Sequence, residues 1–174
     1  MTTPVIARRW TNWGGNQQAH ATEILTPGTV DEVAAQVKEA SGSGRRIKAV
    51  GSGHSFTSIA VADDQRLFLH RLAGLISIDG PLVTVQAGMP LHVLNAVLAE
   101  HGLAMPNLGD IDQQTVAGAI ATGTHGTGAT HSTLASCVEA VKLVTGSGEV
   151  LEVGLDDPIF PAARLGLGAL GILV

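Results

Sequence analysis

Tyrosine is absent and aromatic residues make up only 3% of the 174 residues, so the core has to be built from Ala, Val, Leu and Ile. Such a core gains its cohesion from many small contacts rather than from a few large rings. Cysteine occurs once, which excludes an internal disulfide. The apolar setting of Cys137, between Ser136 and Val138, predicts a buried small hydrophobe, and a lone thiol fits a reducing, cytoplasmic setting. Charge is sparse too. The formal net charge is −5, and no Lys/Arg run is longer than Arg45-Arg46, which argues against nucleic-acid binding and against a polybasic membrane patch. No run reaches the roughly 18 apolar residues of a membrane helix. Met1 to Trp10 lacks the apolar stretch of a secretory signal.

Glycine is what the chain has in excess: 22 residues, against an average usage of about 7%. The glycines gather in loops. Val50-Gly51-Ser52-Gly53-His54-Ser55-Phe56 follows a strand-like run that starts at Ile47. Two glycines one residue apart let successive backbone N–H groups converge on an anion. His54 sets a nucleophilic ring nitrogen beside whatever that loop holds. A second loop, Thr122-Gly123-Thr124-His125-Gly126-Thr127-Gly128, lies about seventy residues on. The pair points to a large phosphate-bearing ligand gripped from two sides.

The order of elements predicts a small parallel β-α-β unit: a strand at Ile24-Leu25, a helix over residues 30–40, and a strand over 47–50. Strands over 67–69, 75–78 and 82–86 follow, the last two joined by Asp79-Gly80-Pro81. A second helix is expected from Pro90 through His101, with Leu91, Leu94, Val97 and Leu98 as its apolar stripe and Gly102 as its stop. A short Ala/Gly-rich helix spans 115–121, and a hairpin turns at Gly146-Ser147-Gly148.

Several chemistries are excluded. Phe56 stands where a dinucleotide fingerprint needs its third small residue, and residues 57–65 read as loop rather than helix. No Walker-type loop and no nucleophile elbow is present. The seven histidines are scattered without metal-ligand spacing, so no metal is expected. His20, His92 and His101 read as solvated surface residues. His125, flanked by glycines, is open between a turn residue bonding the backbone and a place beside the ligand.

Taken together, residues 50–56, Pro106-Asn107-Leu108-Gly109-Asp110-Ile111, and the run from Thr115 to Gly128 resemble the FAD-binding (PCMH-type) domain of the vanillyl-alcohol-oxidase superfamily. Asn12-Trp13-Gly14-Gly15 and Leu167-Gly168-Ala169-Leu170-Gly171-Ile172 match as well. Within the superfamily the likeness is to sugar-1,4-lactone oxidases and dehydrogenases (L-gulono- and D-arabinono-lactone) and to alditol oxidases.

The resemblance implies an α+β, two-lobed domain, with lobe one over about residues 20–80 and lobe two over about 81–174, and FAD extended between them. It implies that Ala49, Val50, Gly51, Ser52, Gly53, His54 and Ser55 cradle the pyrophosphate and run along the flavin. Thr115, Val116, Ala117, Gly118, Ala121, Gly123, Thr124 and His125 would form the opposing wall, and Ile172 would approach the adenine. His54 inherits the family's covalent bond to the 8α carbon of the flavin. Gly109 corresponds to a small gate residue at the flavin edge, where glycine leaves room for dioxygen and alanine obstructs it. Asp110 is expected at the flavin edge on the substrate side, with capping of the next helix as the alternative.

The implied activity is oxidation of an alcohol CH–OH of a sugar lactone, with hydride passing to the flavin and electrons onward to dioxygen or an electron carrier. The alternatives are a polyol (alditol) oxidase, or a flavin-binding module with no turnover of its own. The family's C-terminal cap domain has no counterpart among these residues, so this stretch by itself is expected to be inactive.

Overall fold

The computed structural model describes residues 9–174, and the sequence reading of the first eight residues falls outside them. The described chain opens with an antiparallel hairpin, β1 (Arg9–Thr11) and β2 (Gln18–His20). Then come β3 (Glu23–Leu25), α1 (Val30–Gly42), β4 (Ile47–Ala49), a 3₁₀ turn at Ser58–Ala60, and β5 (Gln65–Leu67). β5 runs parallel to both β3 and β4 and lies between them. This is the expected parallel unit, with a third strand inserted at its centre.

The sequence sets the limits of α1 through its caps. The Thr29 hydroxyl accepts from the Glu32 amide, and the Glu32 carboxylate reaches back to the Gly28 amide, a reciprocal pair that satisfies two otherwise orphaned donors. Val33, Val37 and Ala40 form the buried face. The helix runs to Gly42, past the expected end at Ala40. The residue that breaks it is Gly44, left-handed at φ 68°, after which the Arg45 amide returns to the Ala40 carbonyl.

The second half is antiparallel. β6 (Leu75–Asp79) and β7 (Leu82–Val85) form a hairpin, followed by α2 (Leu91–Glu100), α3 (Val116–Ala121) and a 3₁₀ turn at Leu134–Cys137. β8 (Ala140–Val144) and β9 (Val150–Gly154) make a further hairpin. After α4 (Phe160–Arg164), β10 (Ile172–Leu173) adds to the outer edge of β8. The α+β class is as the sequence implied.

Three apolar clusters hold these parts together. Val33 and Val37 of α1 meet Leu67, Leu72, Ala87 and Val144, so the parallel and antiparallel sheets share one core. Leu91, Leu94 and Leu98 of α2 pack with Met89, Ala119 and Leu134. Leu143 and Val153 pack with Phe160 and Ala163. Each buried Leu or Val contributes roughly 1.5–3 kcal/mol relative to exposure.

Two expectations are corrected. The central strand is Gln65–Leu67, not residues 67–69, because its register on both neighbours pairs Gln65 with Glu23 and with Ile47. Cys137 is exposed rather than buried. It closes a 3₁₀ turn that sends Leu134 and Ala135 inward and leaves Ser136 and Cys137 facing out.

A charged brace closes one end of the parallel sheet. Arg45 bonds Glu23 at 2.6 Å and Asp64 at 2.7 Å, and Asp64 also accepts from the Arg46 amide. The Gln65 carboxamide, and after it Arg45, holds the Glu23 carboxyl below its ordinary value; the Arg46 amide, then Arg45, does the same for Asp64. Carboxyls depressed by folding contribute stability that is present above the ordinary carboxylate range and lost as pH falls through the lower folded values. Urea midpoints should therefore separate native protein from Arg45→Met at pH 7 and converge below about pH 4. A gap that persists undiminished at pH 2.5 would count against the brace.

Candidate functional site

The parallel strands, α3 and the C-terminal segment enclose a cavity of about 500 Å³, a volume typical of sites for sizeable ligands. One wall is the end of β4 and the loop after it: Ala49, Val50, Gly51, Ser52 and Ser55. The facing wall is Thr115, Ala117, Gly118 and Ala121 with Gly88 and Pro90. A third side comes from Val144–Gly146 and from residues 167–173, Ile172 among them.

The loop wall is built for an anion. Among the described residues, the amides of Gly51, Ser52, Gly53, His54 and Ser55 donate to no protein acceptor. Gly53 is left-handed at φ 74°, the alternation of backbone hand that turns consecutive amides into a concave nest. At Gly51 an added Cβ would lie 2.7 Å from the Thr115 hydroxyl, so glycine there keeps the mouth between the two walls open.

The α3 wall works differently. Its leading amides are already engaged: Val116 donates to Met89, Ala117 to Ala87, and Gly118 to the Thr115 hydroxyl. α3 thus offers a smooth small-residue surface rather than donors. Thr115 caps α3, so Asp110 does not. The cap alternative for that carboxylate is excluded.

A second group lies outside the cavity lining. Gly109 packs on Thr124, whose hydroxyl is paired with the Gln114 carboxamide, and an added Cβ at Gly109 would approach Thr124 Cγ2 to 2.9 Å. His125 is exposed, its Nδ1 2.8 Å from the Gly126 carbonyl oxygen, and Asp110 is exposed. His54, half-buried at the end of the amide nest, stacks on Trp13. Gly53, Val116 and Gly123 also stand behind the lining rather than in it.

Lining residues that had no part in the site as read from sequence include His70, Phe68 and Thr145, together with 167–171, which entered only as a match to the family. Leu167 is the one described non-glycine residue with positive φ, at 54°, and its amide crosses to the Ala121 carbonyl of α3. The density of glycine at 166, 168 and 171 was the available signal for a close-fitting wall. Among the described residues no cluster of His, Cys, Asp and Glu could hold a metal ion.

A family described as an FAD binding domain matches residues 21–154. L-gulono-1,4-lactone dehydrogenase of Mycobacterium tuberculosis is 41% identical over 166 residues, covering 94% of this chain and 39% of that protein. D-arabinono-1,4-lactone oxidase of Eremothecium gossypii is 38% identical, covering 97% of this chain and 34% of the relative. L-gulonolactone oxidase of Scyliorhinus torazame is 34% identical, covering the whole chain and 40% of the relative. The chain therefore spans about two fifths of the length of the first relatives it matches. A solved structure, a solvent-stable cholesterol oxidase, superposes with a TM-score of 0.84 at 21% identity, covering 95% of this chain and 36% of its own. That last likeness is one of fold.

Proposed function

This chain belongs to the FAD-binding domain family, and from that membership we propose that it is the flavin-holding part of an oxidoreductase that removes hydride from an alcohol CH–OH of an aldono-1,4-lactone. The observation that carries the reading is the nest of amides at residues 51–55, without acceptors among the described residues, set at the wall of a cavity whose other side is smooth and small. Anionic phosphates fit that nest, and the cavity has the volume for the nucleotide half of FAD. The relatives that name the substrate class are lactone oxidases and dehydrogenases.

Bound FAD supplies the hydride acceptor and the path for electrons to leave. The chain's residues bind and orient it. Ala49, Val50, Gly51, Ser52 and Ser55 would hold the diphosphate, with Gly53 shaping the loop behind them. Thr115, Ala117, Gly118 and Ala121 would form the opposing wall, backed by Val116, and Ile172 would lie toward the adenine. Beyond His54, residues Gly109, Asp110, Gly123, Thr124 and His125 would meet the ring system. The two lobes, residues 20–80 and 81–174, are the two sides of this cleft.

His54 would hold the flavin through a bond from an imidazole nitrogen to the 8α carbon, an attachment that releases one hydrogen from each partner and would need dioxygen as its oxidant, reduced to hydrogen peroxide. A neutral imidazole is a competent nucleophile near pH 7. The deciding experiment for the activity follows flavin bleaching on anaerobic mixing of the holoprotein with L-gulono-1,4-lactone, D-arabinono-1,4-lactone or xylitol. Bleaching by xylitol and not by either lactone would overturn the substrate class.

For the electron acceptor we take dioxygen, because the family resemblance makes Gly109 the small gate residue at the flavin edge. Gly109→Ala forces a methyl against Thr124, and should slow re-oxidation by dioxygen about tenfold, a barrier change of ~1.4 kcal/mol. Turnover with a dye acceptor should fall less. Equal losses with both acceptors would remove the gate. Among the described residues no helix is long and apolar enough to cross a membrane. The exposed thiol of Cys137 supports a cytoplasmic, reducing location.

A further inference from the structure

We propose that the tip of the β1–β2 hairpin is the positioning device for His54, with Trp13 fixing the imidazole and thereby setting how efficiently His54 attaches to the flavin. The inference rests on the covalent reading of His54 and adds the residues that make it effective.

Three carbonyls, two in the nest and one just beyond it, are held from this one turn. The Trp13 amide donates to the Gly53 carbonyl at 2.8 Å. The Asn12 carboxamide donates to the Ser55 carbonyl at 2.9 Å, and that of Asn16 to the Phe56 carbonyl at 2.8 Å. His54 is thus bracketed by fixed carbonyls on both sides. The clamp is itself stiff. Asn12 is 4% exposed, donates also to Asn16 Oδ1, and accepts the Gln17 amide on its own side-chain oxygen. Such a network engages the Gly53, Ser55 and Phe56 carbonyls and leaves the amides of 51–55 without a partner among the described residues, an arrangement that suits an anion.

The side chain of Trp13 then addresses the imidazole directly. The two rings stack with centroids 5.3 Å apart and an interplanar angle of 22°, inside the range of attractive aromatic pairs. Phe56 meets the indole edge-on at 6.1 Å. Trp13 is nevertheless 69% exposed and Phe56 62% exposed, so neither belongs to a core cluster. An indole left in solvent, tied by its backbone to the nest and by its ring to the histidine, has orientation of that histidine as its evident work. Free rotation of the imidazole would scatter its lone pair over many directions, and misplacement on the ångström scale can slow a bond-forming step by about a hundredfold.

The test uses the protein prepared without flavin, as native chain, Trp13→Phe and Trp13→Leu. FAD is added under air, and acid-stable flavin per polypeptide is followed with time. Trp13→Leu should slow incorporation by roughly ten- to a hundredfold, and Trp13→Phe should restore most of the rate because a ring is again present. Non-covalent FAD affinity, read at early times by flavin fluorescence, should change little. Independently of flavin, the His54 ring proton resonances should lie upfield in the native chain and move downfield in Trp13→Leu as the indole ring current is lost. Native incorporation rates in Trp13→Leu would overturn the proposal. Should the native protein hold only acid-labile flavin, it is the His54 attachment that falls, and unmoved His54 resonances in Trp13→Leu would then overturn the positioning claim as well.

Discussion

Acid-precipitated His54→Ala protein should be colourless, with all its flavin in the supernatant, while the native protein should stay yellow through washing. The expectation has two parts. His54 sits at the end of the nest formed by residues 51–55, half-buried and stacked on Trp13, so its ring is held in one region rather than sweeping through solvent. Removing it leaves the nest itself intact. Gly51, Gly53 and Thr115 keep the geometry that opens the mouth and shapes the amides. The variant should therefore still bind FAD reversibly, and dialysis should remove what the native protein never releases. The effect on covalent flavin is complete loss, larger than any effect on folding, because an exposed-side imidazole contributes little to the core. Native protein that bleaches on precipitation would defeat the covalent attachment and leave reversible binding standing.

The parts of the fold that were legible are those with a local cause. α1 and α2 follow from apolar residues at helical spacing, and the β6–β7 and β8–β9 hairpins from their turn residues. The nest was legible because Gly-x-Gly-His after a strand has few other uses. What escaped notice depends on contacts distant in sequence. Gln65 ends a run that reads as loop and Arg66 falls in no expected element, yet both lie in the central strand, Arg66 only 1% exposed. Its guanidinium is met by the Ala62 carbonyl and the face of Trp10, 5.3 Å to the centroid, and burial lowers its pKa. Nothing local in Asp64-Gln65-Arg66 announces that. α4 is five residues long, too short to show a period. Cys137 looked buried because its neighbours are apolar, whereas a 3₁₀ turn exposes alternate sides over so short a run. The candidate site divides along the same line: the amide nest and the small wall of α3 were visible, while residues 167–171 were legible as a family motif but not as a third wall. Its placement depends on a left-handed Leu167 and a bond to α3.

That third wall should be the most fragile part of the site. Gly171 opens β10 with φ 151°, and an added Cβ would run into the Val144 carbonyl and come within 3.0 Å of Leu143 Cδ1. Val144 is fully buried on β8, the central strand of its sheet, so its backbone cannot move aside. In Gly171→Ala the added methyl must instead push β10 away, and Ile172 and Leu173 leave both the sheet and the core they pack on. Backbone strain and lost burial together should destabilise the protein by about 3 kcal/mol or more. Gly146 lines the same cavity, but a Cβ there meets nothing within 4 Å. Gly146→Ala should shift stability by no more than about 0.5 kcal/mol. Urea midpoints of the two variants separate a specific collision from a general intolerance of the cavity rim. FAD titration then tests the place proposed for Ile172 at the adenine end: Gly171→Ala, which displaces Ile172 from the cavity wall, should weaken reversible binding, while Gly146→Ala should bind nearly as the native chain does. Equal midpoints for the two variants would mean that β10 can give way at little cost, and the third wall would then be a flap rather than a fixed side of the cavity.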